Sequence, residues 1–297
     1  MDYPYLTGNT NVIALHRVLE EADLARNLVE VPSMELSSRK LRDFILRLRE
    51  SGYQFVSLDE AIFLDAPKGA KRIALTFDDG YIDFFEVIFP LLKELEVPAC
   101  LYLVTGYPDK ACFHCFGILE DFVRRVESVE FSWMGKGYRL ACRDQSEKRE
   151  TLLWLDRFVE SQVNGVAEVR KLFDAIGVED DDVDKIRALD WEKTIQLHQD
   201  PLITIGSHTL SHPRLSQMST DKAKREIVQS KLRLEEKLGA RVDHFSYPYG
   251  DYDRNVAKCV EDAGYLSATT VQSGSYDGGD RFSIKRHWLD AELNPVG

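Results

Sequence analysis

The 297-residue chain has no apolar run near the roughly 18 residues that a membrane-spanning helix needs. Cysteine is scarce as well: 5 residues, odd in number and irregular in spacing, do not make a disulfide framework and fit a reducing compartment. Positive charge is the third shortage. With 38 Lys and Arg against 50 Asp and Glu, the net charge of −12 opposes any broad surface for phosphate backbones or anionic lipid heads. The opening Met1-Asp2-Tyr3-Pro4-Tyr5-Leu6-Thr7 lacks the basic end and apolar stretch of a secretion signal. The expectation is a cytoplasmic protein with no nucleic-acid partner and no integral membrane segment. A 44% hydrophobic, 30% charged composition then supports a folded chain with a large core.

The patterning is that of βα units. Val12–Leu15, Gln54–Val56, Arg72–Phe77 and Ala99–Val104 read as strands in the first part of the chain. Between them, Leu41, Phe44, Ile45 and Leu48 recur at helical spacing, with Ser37 and Ser38 as candidate caps and Gly52 as the stop. Ser57-Leu58-Asp59-Glu60 matches a capping box, and Pro90 predicts a kink or restart in the helix after Asp83. From about Gly106 to Asp200 the rhythm changes to a mostly helical insertion. It carries one hairpin, Val129–Trp133 with Tyr138–Cys142, turned by Gly135-Lys136-Gly137. Here Cys112 and Cys115 have the spacing of half a zinc site without a second pair, and the acidic Glu179–Asp182 reads as a solvated loop or helix start. The βα rhythm then resumes, with strands at Leu202–Ile205, His244–Tyr247, Leu266–Thr270 and Ser283–His287 and helices at Ser219–Leu238 and Tyr252–Ala263. The expected fold is α/β: a distorted (β/α) barrel of about seven parallel strands, one domain over residues 1–297 with an insertion at about 106–200.

In such a fold, chemistry collects at the C-terminal strand ends, and four of them carry reactive side chains. Thr76-Phe77-Asp78-Asp79-Gly80 puts adjacent carboxylates after a buried strand. Neighbouring residues leaving a strand point apart, so one carboxylate can bind a metal while the other faces the substrate water. His208 and His212, four apart, suit two imidazole nitrogens on one zinc. Tyr247-Pro248-Tyr249-Gly250 offers amides after a proline to a developing oxyanion. At the last strand, alternation sends Arg286 and His287 to opposite faces, so one of them reaches the site.

In this order the segments resemble the polysaccharide deacetylases, metal-dependent carbohydrate esterases of the chitooligosaccharide deacetylase type. The resemblance rests on Thr76–Gly80, His208–His212 and Tyr247–Gly250, and Ala14–Val18 is similar to the start of a subgroup found among bacterial surface-glycan enzymes. It implies a divalent metal, zinc first with cobalt or nickel as alternatives, held by Asp79, His208 and His212. It further implies Asp78 as catalytic base and the backbone N–H of Tyr249 as an oxyanion donor. The substrate implied is an N-acetylated amino sugar in a bacterial glycan or its lipid- or nucleotide-linked precursor. The alternatives are a deformylase or deacylase on another amino-sugar carrier, and a non-catalytic carbohydrate-binding relative.

The chain departs from the family pattern in two places. Ser246 stands where many members carry the arginine that orients the base, and the resemblance assigns that task to Arg286. The late Leu-x-His segment that gives many members their proton donor is missing in that form, which makes His287 the first candidate donor and His16 the second. Of the aromatics near strand ends or in the insertion, Tyr81, Tyr107, Phe116, Trp191 and Trp288, most are expected in the core.

Overall fold

A computed structural model describes residues 3–25, 27–28, 34–162, 166–179 and 188–296. It divides into two compact units, one of residues 1–24, 31–105 and 189–297, the other of residues 25–30 and 106–188.

The first unit is built on parallel strands. These are β1 (Thr10–Leu15), β4 (Gln54–Phe55), β5 (Arg72–Phe77), β6 (Ala99–Leu103), β9 (Ile203–Ser207), β10 (His244–Ser246), β11 (Ser267–Thr269) and β12 (His287–Trp288). They pair in the order β11-β10-β9-β6-β5-β1-β12, with β4 beside β5. Ile284 bridges Thr269 of β11, and three residues later His287 opens β12 and pairs with Ile13 of β1, so the segment that forms one end of the path also reaches its other end. This is the curled, distorted barrel that the βα rhythm predicts. A small separate pair, β2 (Arg17–Leu19) and β3 (Glu35–Ser37), lies beyond the end of β1.

Alternation along the strands sorts the core. Ile13, Leu15, Leu75, Phe77, Leu101 and Ile205 pack into the main cluster with helix residues, while Val12, Ala74, Cys100, Tyr102 and Ile284 form a second cluster from the other strand face. Gly206 is required there, because a Cβ would sit 2.5 Å from the Tyr102 ring.

The helices follow their local signals. After the single turn α1 (Glu21–Leu24), α2 (Ser38–Glu50) is capped by Ser37, which accepts from the Lys40 amide, and buries Leu41, Phe44, Ile45 and Leu48. α3 (Leu58–Phe63) opens on the full Ser57–Glu60 capping box. Before α4 (Phe89–Glu94), Phe84–Ile88 is a π-helical stretch in which Phe89 N–H reaches the Phe84 carbonyl. Pro90 has no N–H for an α-type bond, so the restart takes the form of a widened turn.

Residues 189–200, which the sequence reading places in the insertion, belong to the barrel unit. There Leu189 N–H bonds the Gly80 carbonyl at 2.9 Å, and Leu197 of α8 (Trp191–His198) is core. α9 (Thr220–Leu238) ends at Gly239 in a left-handed cap. α10 (Arg254–Asp262) begins two residues later than the periodicity predicts, because Asp253 caps the Val256 amide. No helix among the described residues is long and apolar enough to cross a membrane.

The second unit contains α5 (Cys115–Arg125), the hairpin β7 (Ser128–Trp133) and β8 (Lys136–Ala141), α6 (Gln145–Gln162) and α7 (Val166–Ile176). Its hairpin turn is tighter than predicted. Met134 (φ 48°) and Gly135 (φ 79°) form a two-residue loop in the left-handed region, so Lys136 and Gly137 already lie in β8. Phe131, Tyr138, Trp154 and Phe158 pack together across the hairpin and α6. His114 caps α5, its Nδ1 accepting from Gly117 N–H at 3.3 Å. Of the acidic run 179–182, residues 180–182 lie outside the described residues.

Candidate active site

The chain turn after β5 separates the two aspartates. Asp78 N–H continues the ladder to the Leu15 carbonyl at 3.0 Å. Asp79 (φ 76°) and Gly80 (φ 91°) then enter the left-handed region, and a Cβ at Gly80 would meet Leu103 Cδ1 at 2.2 Å. The carboxylates therefore diverge, Asp78 toward Arg286 and Asp79 toward the histidines.

Arg286 is fully buried and grips Asp78 through two parallel bonds, Nη1 to Oδ1 and Nη2 to Oδ2, both 2.7 Å. The same guanidinium donates to Thr76 Oγ1 at 3.0 Å, Ser246 Oγ at 3.0 Å and the Thr270 carbonyl at 2.9 Å. Ser246 Oγ donates in turn to Asp78 Oδ2 at 3.3 Å. Burial raises the Asp78 pKa, but the charge and hydrogen bonds of Arg286 outweigh it and hold the carboxyl well below the usual range. A guanidinium from the residue just before the last strand thus lies on Asp78 while position 246 is serine.

Asp79 Oδ1 lies 3.5 Å from His208 Nε2 and 3.4 Å from His212 Nε2. All three ligand atoms lie within 4.8 Å of one another, and this is the one such group among the described residues. His208 Nδ1 lies 2.8 Å from the Ser246 carbonyl. A carbonyl only accepts, so Nδ1 carries the proton and Nε2 presents its lone pair. Burial lowers the His208 pKa to about 4 against the opposing pull of Asp78, which keeps the ring neutral near pH 7. Asp79 Oδ1 is buried with no hydrogen-bond partner. A divalent cation satisfies such an oxygen, and one carboxylate with two imidazoles is a fitting donor set that leaves positions open.

The loop between the histidines is strained and clamped. Thr209 (φ 68°) and His212 (φ 60°) are both left-handed, and His212 N–H donates to Thr209 Oγ1 at 2.9 Å. From α9, Glu226 accepts from Leu210 N–H at 3.1 Å, Ser211 N–H at 3.0 Å and Ser211 Oγ at 2.9 Å. Sequence spacing gives no sign of this contact.

Tyr249 is also left-handed (φ 57°); the residue is 49% exposed, and its ring lies 4.6 Å from the His212 ring. His16 packs on Trp288 at 5.0 Å, and its buried Nδ1 has no hydrogen-bond partner. Burial lowers its pKa while Asp79 and Asp78 raise it, which places His16 within the field of the carboxylate pair. Next to it, Arg17 bonds Asp83 at 3.3 Å and Glu35 at 2.8 Å, tying the end of β1 to the chain beyond Asp79. His287 points elsewhere: Nδ1 meets Ser273 Oγ at 2.9 Å, Nε2 donates to Asn11 Oδ1 at 3.1 Å, and the ring lies 5.2 Å from Tyr5. The structure brings Asp78, Asp79, His208, His212 and Arg286 together and leaves His287 on the opposite strand face. Tyr81 and Tyr107 are buried, Tyr81 beneath Arg17.

Comparison with known proteins agrees with this arrangement. The polysaccharide deacetylase family model matches residues 65–268. A 111-residue stretch is 38% identical to the poly-beta-1,6-N-acetyl-D-glucosamine N-deacetylase of Escherichia coli (strain K12), covering 36% of this chain and 16% of that relative. The chain thus matches about a sixth of that protein's length. The fold is shared with the Streptococcus pyogenes deacetylase PplD in complex with acetate, at TM-score 0.58 and 18% identity over 93% of this chain and 90% of that one. It is shared as well with IcaB from Ammonifex degensii, at TM-score 0.59 and 17% identity over 94% and 91%. The family match spans more than half of the sequence and contains Asp78, Asp79, His208, His212 and Tyr249, and the chain belongs to the polysaccharide deacetylase family.

Proposed function

We propose that the chain is a metal-dependent hydrolase that removes the N-acetyl group of an amino sugar in a bacterial glycan or its lipid- or nucleotide-linked precursor. The observation that carries this reading is the Asp79–His208–His212 group beside an Asp78 carboxylate held by Arg286. Asp79, His208 and His212 hold the ion, which when bound supplies the positive charge that polarises an amide carbonyl and acidifies water. Asp78 takes the proton of the attacking water. Its pairing with Arg286 keeps it ionised and aimed, at the cost of basicity. The backbone N–H of Tyr249 donates to the oxyanion that forms as the carbonyl becomes tetrahedral. An amide nitrogen leaves poorly as an anion, so the departing amine must be protonated. We assign that proton to His16, whose Nδ1 is unpartnered beside the carboxylates, over His287, whose ring nitrogens are both engaged.

The test is acetate release from free, oligomeric and nucleotide-linked N-acetylated amino sugars by metal-stripped protein with zinc, cobalt or nickel restored. Release that depends on added metal and is lost in Asp78→Asn is the expected result. A metal-independent rate, or an undiminished rate in Asp78→Asn, overturns the assignment.

A further inference from the structure

Two residues after the ligand histidine, the chain carries an exposed arginine whose charge has not been used. The Arg214 guanidinium carbon lies 4.1 Å over the Tyr249 ring, and that ring lies 4.6 Å from His212. The chain has an excess of acid, and Arg17, Arg39, Arg42, Arg241 and Arg286 each hold a carboxylate. Arg214 pairs with none among the described residues.

Two carboxylates of neighbouring segments, Asp251 and Glu226, are already occupied. Asp251, next to Gly250, accepts from Ser216 N–H at 2.8 Å and Ser216 Oγ at 2.7 Å. Glu226 is spent on the amides of Leu210 and Ser211. Stacking fixes the plane of a guanidinium while leaving its N–H edges free, the presentation suited to a planar carboxylate or a phosphate. The same stacking covers one face of Tyr249 and removes it as a platform for a sugar ring. Beside His212, the exposed surface thus offers a positioned cation on an aromatic support.

We propose that Arg214 is an anion subsite, and that the preferred substrate is an N-acylated amino sugar bearing a phosphate or carboxylate next to the acylated residue. The inference rests on the deacetylase reading above and narrows its substrate class. Tyr249 positions the guanidinium, and Arg214 binds the anion.

Zinc-loaded enzyme is assayed for acetate release on three substrates: a neutral N-acetylglucosamine oligomer, a nucleotide-linked N-acetylglucosamine, and an oligomer alternating N-acetylglucosamine with glucuronate. We expect kcat/KM on one anionic substrate to exceed that on the neutral oligomer by about tenfold or more, the worth of a charge-assisted hydrogen-bond pair. The anionic arm that shows this preference tells phosphate from carboxylate. Arg214→Gln collapses the ratio mainly through KM, and Arg214→Lys restores part of it. A wild-type preference for the neutral oligomer, or a ratio unmoved in Arg214→Gln, overturns the subsite.

Calorimetric binding of the nucleotide-linked sugar and of the glucuronate oligomer to zinc-loaded Asp78→Asn, with and without Arg214→Gln, requires no turnover. Equal affinities in the two proteins for both ligands overturn the subsite even if no acetate is released. Weakened binding of either in Arg214→Gln without any acetate release retains the subsite and counts against the deacetylase reading alone.

Discussion

Arg286 and Asp78 form the buried ion pair at the centre of the proposed chemistry, and they flank strands β12 and β5, far apart in the sequence. Replacing Arg286 with Gln leaves a buried carboxylate without its cation, which costs about 3–5 kcal/mol of stability. The direction with pH follows from the depressed Asp78 pKa. A depressed carboxyl contributes stability above its unfolded pKa and loses it as pH falls through the folded value. Without Arg286 the Asp78 pKa rises, so the acid limb of the kcat/KM profile moves to higher pH. A variant with wild-type melting temperature and an unmoved acid limb would remove Arg286 from this role. A second contrast concerns the proton donor. His16→Gln should lower kcat by about 10²–10⁴-fold, the span typical of general acid catalysis. His287→Phe should act on melting temperature, because it strands the buried Asn11 side chain without its partner. If His287→Phe abolishes turnover with stability intact while His16→Gln does not, the donor is His287. At this scale the sequence shows which residues are reactive: Asp78, Asp79, His208 and His212 stand in recognisable segments. That Asp78, and not Asp79, faces Arg286 comes from the family resemblance and not from the spacing, since the divergence of the two carboxylates depends on the left-handed turn at Asp79.

Elements were legible where a local signal was strong and misplaced where a distant contact decides. The Ser57–Glu60 capping box and the buried face of α2 follow directly from spacing. The hairpin turn starts one residue before the predicted Gly135 and ends two before Gly137, because Met134, not a glycine, takes the first left-handed position. The spacing places α8 in the insertion, because nothing in its own sequence reveals the bond from Leu189 to Gly80. Glu226 is the functional case of the same problem, since α9 reaches back to clamp the loop between two ligands. Two left-handed residues without glycine hold their shape there because three donors converge on one carboxylate. Glu226→Ala should therefore weaken metal affinity by about 10–100-fold, as loss of an outer partner of a ligand does. Glu226→Gln, which still accepts from the two amides, should recover much of it. Chelator competition on metal-stripped protein measures both, and unchanged affinity in Glu226→Ala would show that the loop keeps its geometry without the clamp.

At the scale of the whole chain, the proposed metal ligands follow the ends of β5 and β9, which flank β6 in the sheet, while the second compact unit intervenes between them in sequence. An ion held by Asp79, His208 and His212 joins the ends of β5 and β9, which no covalent link holds in register, and it binds only when the barrel is folded. Its binding free energy is then folding free energy. With zinc at about 100 times its dissociation constant, the gain is about 2.7 kcal/mol. For a folding unit of this size that corresponds to a rise in melting temperature of roughly 5–10 °C. Asp79→Ala removes the one anionic ligand and should abolish the rise, whereas Asp78→Asn, which leaves all three donors in place, should retain it. Thermal unfolding with and without zinc separates the two aspartates without any substrate. A zinc-induced rise that survives in Asp79→Ala would place the ion elsewhere. A rise lost in both variants would mean that the two carboxylates hold the ion together, and Asp78 would cease to be a free base.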